Sequence, residues 1–380
     1  MTPRGINQRE YDVSRAFVRA IDRVIELAPD MVLVAGDVFH QVRPTNSAII
    51  HAYMNFARLR AALPTTDVVI VAGNHDTPRS TETGSILGLF RTLGIHVVDG
   101  EARTLDFPDR DVSILAVPHV PTRPKLVPSG ERRWNVLLMH APVPDVYPTR
   151  AIPPELLVNG IPLADLHDDV WDYVALGEYH VYQNYGRRVF YSGSLEYTSH
   201  DSWGDLAEER ERKIRGKGFI EHDLATGEHV FHHVPGDRVL LDLLPISARG
   251  LTTEEVNAAI AGAVNRIKGG IDEKIVRLVV RDIPRHVARQ LDHKQIREFR
   301  KRALHFQLDT RKPDSIARQS SAGAPGRRAT LEDLVRDKLR ERVIPPDVDR
   351  DDLVDLGVQY LKDASEHESV SVLGAPAVEA

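Results

Sequence analysis

Short, almost unbroken apolar runs are the feature that most constrains how this chain can fold. Five such runs, each four to six residues long, occupy residues 31–35, 68–72, 112–117, 135–139 and 173–176. Because polar residues do not alternate within them, both faces of these strands are predicted to be covered. Stretches with apolar residues at helical spacing, 12–28 and 46–62, precede the first two strands. The pattern predicts an α/β domain whose sheet is layered between helices.

The second half of the chain has a different texture. Residues 188–243 are predicted to be β-rich, and a small α+β unit follows, with a helix at 252–268, a strand at 275–281, a basic helix at 285–303 and a strand at 304–308. A stretch rich in Ser, Ala, Gly and Arg, 315–329, is interpreted as a linker. Two amphipathic helices are predicted beyond it, the first starting at Thr330 and the second capped by Asp349, and the last residues are expected to be disordered. In the second helix the predicted apolar side comprises Leu353, Leu356, Tyr360 and Leu361.

Polar side chains follow four of the predicted strands at the point where each strand ends. Asp37 follows the first strand, Asn74 the second, His140 the fourth, and Glu178 with His180 the fifth. A single such residue is more often a turn former or a buried structural histidine. Four together favour a shared site, because the carboxyl ends of strands in such a sheet form one rim along which ligands bind. Carboxylate, amide and imidazole ligands suit Mn²⁺, Mg²⁺ or Zn²⁺.

Composition narrows the site chemistry further. The chain has no cysteine, which excludes disulfides, thiolate zinc sites and cysteine nucleophiles. No apolar run approaches the roughly 20 residues that a membrane span needs. We therefore expect a cytoplasmic protein with no membrane partner, whose metal ligands are His, Asp, Glu or Asn.

Charge is distributed unevenly along the chain. The net charge is −6, yet residues 274–328 hold 15 Lys and Arg against 5 Asp and Glu. Within this block the predicted helix 285–303 carries Arg289, Arg297 and Arg300. Such a face contacts DNA phosphates without reading sequence, and it is equally typical of an ordinary solvated helix. Both interpretations stay open at this stage.

Motifs at the strand ends carry a resemblance to a known family. Gly-Asp-Val-Phe-His at 36–40, Gly-Asn-His-Asp at 73–76 and Gly-Glu-Tyr-His at 177–180, with the His140 strand between them, resemble the calcineurin-like metallophosphoesterases. Tyr-Ser-Gly-Ser-Leu-Glu at 191–196 and Lys-Gly-Phe at 217–219 are similar to the double-strand-break repair nuclease subunit of the bacterial SbcD type. The resemblance covers about residues 9–235. It implies a two-layered β-sheet core flanked by helices, with a small α+β capping domain and C-terminal helices.

The resemblance assigns metal ligands residue by residue. Asp37 matches the carboxylate that bridges two metal ions, Asn74 and His140 match ligands of the second metal, and His180 matches a ligand of the first. Two Mn²⁺ ions are expected, with Mg²⁺ as an alternative. In this family the ion pair clamps a phosphodiester and activates water.

The resemblance also implies residues that act on the substrate. His75 matches the histidine that stabilises the phosphoryl transition state or protonates the leaving group. His40 matches a second histidine associated with exonucleolytic processing, with a helix-capping or supporting role as the alternative. Ser194 lies in a loop that borders the site, and Arg43 follows the first motif, so both are candidates for DNA contact.

Two departures from the family pattern matter for activity. The family opens with a strand carrying Asp-x-His, which supplies two ligands of the first metal, and no such segment is present here. We expect a truncated or misplaced start, and the alternative is a protein that has lost its first metal site. The second departure is Glu178, where the family has His. Glu178 either ligates, tilting the site toward harder metals, or leaves the second metal site weakened.

The implied partners are DNA and an SMC-like coiled-coil ATPase, with a homodimer left open. The expected domains are a nuclease domain over 1–243 that lacks its first strand, a capping domain over 244–314, the linker 315–329, a partner-docking helical segment over 330–364 and a disordered tail over 365–380. The activity implied is metal-dependent exonuclease and endonuclease cleavage at DNA ends. A phosphodiesterase for small substrates and a non-catalytic binding subunit are the alternatives.

Overall fold

A computed structural model describes eight segments of the chain: residues 7–78, 84–120, 124–146, 160–166, 169–186, 188–313, 331–341 and 349–360. These fall into two compact units, Met1–Pro313 and Asp314–Ala380. Each unit is described by itself below. No helix among the described residues is long and apolar enough to cross a bilayer.

The first sheet has three parallel strands in the order β1-β2-β3, with two helices against it. The strands are β1 (Met31–Val34), β2 (Asp67–Val71) and β3 (His96–Val98), and the helices are α1 (Gln8–Leu27) and α2 (Asn46–Ala62). Ile21 of α1 and Phe56 of α2 pack in one cluster with Val68 and Ile70 of β2, all at most 5% exposed. This cluster covers one face of the sheet, as the unbroken apolar pattern of β2 predicts.

The second sheet has six strands in the order β4-β5-β6-β7-β9-β8. Its strands are β4 (Arg103–Phe107), β5 (Val112–Val117), β6 (Trp134–His140), β7 (Tyr173–Gly177), β8 (Gln183–Tyr185) and β9 (Val189–Tyr191). Val69 and Val71 of β2 pack with Ile114 and Leu138 of this sheet, so the two sheets share an apolar layer. The expected two-layered β core flanked by helices is confirmed.

A helix that the sequence pattern did not predict follows the second sheet. It is α3 (Ser202–Glu211), it lies inside the stretch expected to be β-rich, and it is followed by a hairpin of β10 (Gly218–His222) and β11 (His229–His233). The α3 sequence has no apolar stripe, and its one fully buried residue is Glu209. Ion pairs and hydrogen bonds to other segments stabilise it instead, which a periodicity argument does not detect.

A small α+β region completes the first unit. Its strands are β12 (Leu240–Asp242), β13 (Ile246–Ser247), β14 (Ile275–Arg281) and β15 (His305–Thr310). The other three all pair in parallel with β14. Its helices are α4 (Thr253–Asn265), α5 (Arg285–Arg289) and α6 (His293–Arg302). The prediction of one basic helix over 285–303 is therefore wrong. Asp292 accepts hydrogen bonds from the amides of Lys294 and Gln295, both at 3.0 Å, and so starts a separate helix.

The second unit contains two described helices, α7 (Leu331–Glu341) and α8 (residues 350–360). Asp349 caps α8 by accepting hydrogen bonds from the amides of Asp351 (2.8 Å) and Asp352 (3.1 Å), as predicted. Val354 and Val358 are its buried residues, at 2% and 4% exposure. Two residues of the predicted apolar side, Leu356 and Tyr360, are exposed. Thr330, Leu361, the linker 315–329 and the tail 365–380 lie outside the described residues.

Candidate metal centre

The ends of β1, β2, β6 and β7 bring four polar side chains to one point. The Nε2 atom of His140, the last residue of β6, lies 2.9 Å from Glu178 Oε2, 3.2 Å from Asn74 Oδ1 and 3.7 Å from Asp37 Oδ2. Ligand atoms of Asp37, His140 and Glu178 all lie within 4.8 Å of one another. Three oxygen atoms therefore surround one buried imidazole nitrogen, and all four residues were among the predicted ligands.

The tautomer of His140 follows from its second contact. Its Nδ1 lies 2.7 Å from the carbonyl oxygen of Ala35, which only accepts, so Nδ1 carries a proton and donates it. Burial disfavours the charged ring, but the hydrogen bond to Glu178 and the charges of Asp37 and Glu178 outweigh it and raise the pKa of His140. Burial likewise acts to raise the pKa of Glu178, yet its hydrogen bond to His140 lowers that pKa overall. Both shifts share one cause, the 2.9 Å contact between the His140 ring and the Glu178 carboxylate.

Two of the ligand side chains sit on unusual backbone. Asp37 has a φ of 52° and Glu178 a φ of 111°, both in the region that favours glycine. Residues held there cost about 1–3 kcal/mol each and cluster at functional sites. The neighbouring Gly73 and Gly177 have no room for a side chain, because a Cβ atom would fall closer than 3.0 Å to Asp37 and to the Ala35 carbonyl respectively. Close packing of these turns is what brings the ligands together.

Asp76 holds the backbone of the loops that carry the ligands. It belongs to the Gly-Asn-His-Asp motif, but the sequence analysis did not assign it this role. It is fully buried and accepts hydrogen bonds at 3.1 Å from the amides of Val38, Phe39 and Gly73. Burial raises the pKa of its carboxyl group. Conversely, Asp37 in the loop after β1 accepts through Oδ1 a hydrogen bond of 3.0 Å from the amide of His75 in the loop after β2. The two loops after β1 and β2 are thus cross-linked by side-chain carboxylates.

His75 and His40 lie side by side at the mouth of the site. Their rings stack with centroids 5.4 Å apart and planes 16° from parallel. The Nδ1 of His75 donates to the carbonyl oxygen of His40 at 2.7 Å, so its Nε2 is the atom left to exchange a proton. His40 is exposed, whereas His75 is partly buried. The structure brings these two predicted residues together beside Asp37.

His180 is partly buried near the cluster but does not belong to its three mutually close ligands. Burial and the charge of Lys217 lower the pKa of its ring, against the opposing charges of Asp205, Glu178 and Asp37. Its carbonyl oxygen accepts from the amide of Ser194 at 3.1 Å, so the predicted loop residue Ser194 directly adjoins it. Among the described residues no second group of three such ligands occurs.

His119 is a neighbour that the sequence analysis missed. It lies two residues beyond β5, and its ring centroid is 6.4 Å from that of His140. Its charge is one of those that lower the pKa of Glu178. The sequence contained the same pattern that identified the other ligands, because His119 comes two residues after the predicted strand 112–117.

The remaining predicted residues lie outside this cluster. Arg43 is exposed on the segment between β1 and α2. Arg289 ends α5, and Arg297 and Arg300 are on α6; all three are exposed. Among the described residues no carboxylate forms an ion pair with these three arginines, unlike Lys301 and Arg302 beside them.

The donor set fits one divalent cation. Two carboxylates, an amide oxygen and an imidazole nitrogen are mixed oxygen and nitrogen ligands of the kind that Mn²⁺ accepts. The Ala35 carbonyl already orients His140 so that Nε2 faces the oxygens, which is how ligating histidines are usually held. A cation here would take the place of the proton on Nε2 and relieve the crowding of Asp37 and Glu178.

Comparisons with known proteins show which proteins this chain is similar to. Residues 10–182 match the family model for the calcineurin-like phosphoesterases. The chain is 28% identical over 240 residues to a DNA double-strand break repair protein Mre11 of Methanococcus maripaludis, covering 58% of this chain and 59% of that protein. It is 26% identical over 336 residues to the protein of that name from Methanosarcina mazei, covering 74% and 51% respectively. The chain thus spans between half and three-fifths of the length of these relatives.

Proposed function

Because residues 10–182 match the family model for the calcineurin-like phosphoesterases, we propose that this chain is a metal-dependent nuclease subunit that hydrolyses phosphodiesters at DNA ends in double-strand-break repair. The observation that carries the proposal is the convergence of Asp37, Asn74 and Glu178 on the Nε2 of His140. The similarity to the Mre11 proteins, which are named for DNA double-strand break repair, supports DNA as the substrate.

In this proposal one Mn²⁺ ion would be held by Asp37, Asn74, His140 and Glu178. A second ion would have a partial site formed by Asp37 and His180. Divalent ions at such a site polarise the phosphodiester and activate the attacking water. Two protein ligands define a site less completely than four, so we expect one tight and one weak ion. Mg²⁺ is the alternative occupant, favoured by the carboxylate of Glu178.

His75 acts on the substrate in this mechanism. Its Nδ1 is occupied by the His40 carbonyl, so Nε2 is the atom that protonates the leaving oxygen or stabilises charge on the phosphoryl group. The stacked His40 ring holds His75 and lines the mouth, where we propose that it contacts the DNA end. Arg43, three residues after His40, and Ser194, whose amide donates to the His180 carbonyl, are proposed DNA contacts.

The proposed partners rest on surfaces of the described residues. The unpaired Arg289, Arg297 and Arg300 form a phosphate-binding face for duplex DNA. Leu356 and Tyr360 on α8, 50% and 68% exposed, are proposed to dock on the coiled coil of an SMC-like ATPase. We propose a cytoplasmic protein, in line with the absence of cysteine.

A homodimer is the second proposed assembly. Ile50 and Met54 lie one turn apart on α2, and each is 62% exposed. Apolar residues this exposed and this close on one helix face are typical of a surface that another molecule covers. A second copy of this chain is the occupant that we propose.

The decisive experiment compares two substrates with the full chain and Mn²⁺. We expect cleavage of a linear duplex labelled at its ends, and its loss when Asp37 is replaced in Asp37→Asn. Cleavage of a small chromogenic diester alone would instead support a phosphodiesterase for small substrates. Failure to bind Mn²⁺ in equilibrium dialysis, together with no cleavage, would indicate a non-catalytic binding subunit and contradict the proposal.

A further inference from the structure

Lys217 is a buried cation close to the candidate metal centre but not part of it. It lies immediately before β10, and its side chain is 3% exposed. Its Nζ donates to the carbonyl oxygen of His180 at 2.7 Å and lies 3.0 Å from Asp205 Oδ2 and 3.0 Å from Glu209 Oε1. The contacts with His180 and Asp205 are hydrogen bonds, whereas the contact with Glu209 is an ion pair.

The acceptors of Lys217 belong to two different parts of the molecule. Asp205 and Glu209 are four residues apart on α3, so both project from one face of that helix. His180 closes the turn that begins at Glu178, whose backbone has the unusual φ described above. Lys217 is therefore the cation that ties this turn to α3.

A second set of contacts runs parallel to the first. Glu208 of α3 accepts hydrogen bonds from the hydroxyl of Tyr179 and, at 2.6 Å, from the side-chain amide of Gln183. Tyr179, directly before His180, and Gln183, three residues after it, are thus also held by α3. This explains why a helix without an apolar stripe is packed here: its acidic residues anchor the 178–180 turn.

Rigid support of this kind determines how well a metal site is formed. The turn carries Glu178, which contacts His140, and His180, which the proposed function assigns to the weaker ion. Groups that orient metal ligands from behind typically change metal affinity 10- to 100-fold when they are removed. Lys217 reaches the turn through the backbone carbonyl, which is independent of the protonation state of His180.

We propose that Lys217 is a positioning residue for the metal centre, holding the Glu178–His180 turn in the geometry that binds a divalent cation. The proposal rests on the proposed function, since it assumes that this site binds metal. Lys217 contacts neither substrate nor cation in this role. It acts through the His180 carbonyl, with Asp205 of α3 as its hydrogen-bonded anchor.

The test compares Glu209→Gln with the double variant Glu209→Gln/Lys217→Met. The single change keeps the contact between Lys217 and His180, while the double change removes it without leaving the buried Glu209 charge unpaired. We expect Mn²⁺ affinity, measured from the free-Mn²⁺ EPR signal, to stay within about 2-fold of wild type in Glu209→Gln. In the double variant it should fall about 10-fold or more, with an altered EPR line shape of the bound ion.

Chemical rescue separates positioning from general stabilisation. The chain has no cysteine, so Lys217→Cys introduces a unique thiol. Alkylation of the unfolded variant with 2-bromoethylamine followed by refolding restores a lysine-like ammonium, whereas alkylation with 1-bromopropane gives an uncharged chain of the same length. We expect only the aminoethylated protein to recover Mn²⁺ affinity, with circular dichroism confirming that both forms are folded.

Two results would overturn the inference. Equal Mn²⁺ affinity of the double variant and Glu209→Gln, or of the two alkylated forms, would leave Lys217 a structural residue only. If the wild-type chain does not bind Mn²⁺ saturably, the proposed function itself is contradicted. Mn²⁺ binding by the wild-type chain therefore distinguishes failure of the proposed function from failure of the Lys217 inference.

Discussion

At the scale of single residues, neighbouring groups fix the orientation of each side chain in the candidate metal centre. The Ala35 carbonyl sets the tautomer of His140, Asp76 holds the loop that carries Asp37, and Gly73 leaves space for the Asp37 carboxylate. The positive φ of Glu178 shows that this arrangement is maintained at a conformational cost. Substitutions at these positions should therefore act on the site and on stability to different degrees.

Gly73→Ala tests the close approach of the two loops. Its added Cβ would lie closer than 3.0 Å to the side chain and the amide of Asp37, so we expect a loss of about 1–3 kcal/mol in the free energy of unfolding, measured by urea denaturation. Gly100→Ala is the control, because a Cβ there meets no atom within 4 Å. Equal stability of the two variants would mean that the loops relax at no cost.

His75→Ala tests the proposed role of the mouth histidine. We expect hydrolysis of DNA to fall about 10²- to 10⁴-fold, because a proton donor or charge-stabilising group is lost, while Mn²⁺ binding is unchanged. His96→Ala, at an exposed position on β3, is the matched control. Unchanged turnover in His75→Ala would remove this residue from the mechanism.

At the scale of elements, the β10–β11 hairpin carries a titratable residue in an apolar setting. His222 stacks on Tyr173 with ring centroids 4.4 Å apart, and its direct cross-strand partner is His229. Among the described residues neither ring nitrogen of His222 has a hydrogen-bond partner. Burial lowers the pKa of His222, and the charge of His229 lowers it further, against the opposing charge of Asp223.

This shift predicts an acid-sensitive hairpin. A histidine whose folded-state pKa lies below its ordinary value near 6.5 contributes stability above that value, and the contribution is lost as pH falls from 6.5 toward the lowered pKa. His222→Phe keeps the ring stacking and removes the titration, so its melting temperature should fall less than that of wild type between pH 7.5 and pH 5. His293→Phe serves as the exposed control, and equal falls in all three proteins would refute the assignment.

At the scale of the whole molecule, acidic surroundings of the metal centre and a basic surface on the α+β region coexist in a chain of net charge −6. The centre needs carboxylates to hold cations, whereas a polyanionic substrate needs cations to bind it. Placing the two kinds of charge in different parts of the chain meets both requirements. DNA affinity and cleavage chemistry should therefore be separable by mutation.

Replacing Arg289, Arg297 and Arg300 together by Ala tests this separation. We expect weaker duplex binding and a log–log salt dependence shallower by up to about 3, since each phosphate contact contributes roughly 0.9. Hydrolysis of a small diester should not change. Replacing Arg23, Arg58 and Arg103 by Ala alters the net charge equally and is the control, and a similar loss of DNA affinity in both triple variants would refute a specific DNA-binding face.

The sequence by itself determined the strands and the polar residues at their ends, because apolar runs and glycine-containing turns are local patterns. It therefore predicted that Asp37, Asn74, His140 and His180 would meet, and it left open whether Glu178 is a ligand. Only the tertiary structure decided the position of α3, the separate start of α6 at Asp292, and the contacts of Asp76, His119 and Lys217. These depend on partners distant in sequence, such as Lys217 and His180, which are 37 positions apart, and no local pattern encodes them.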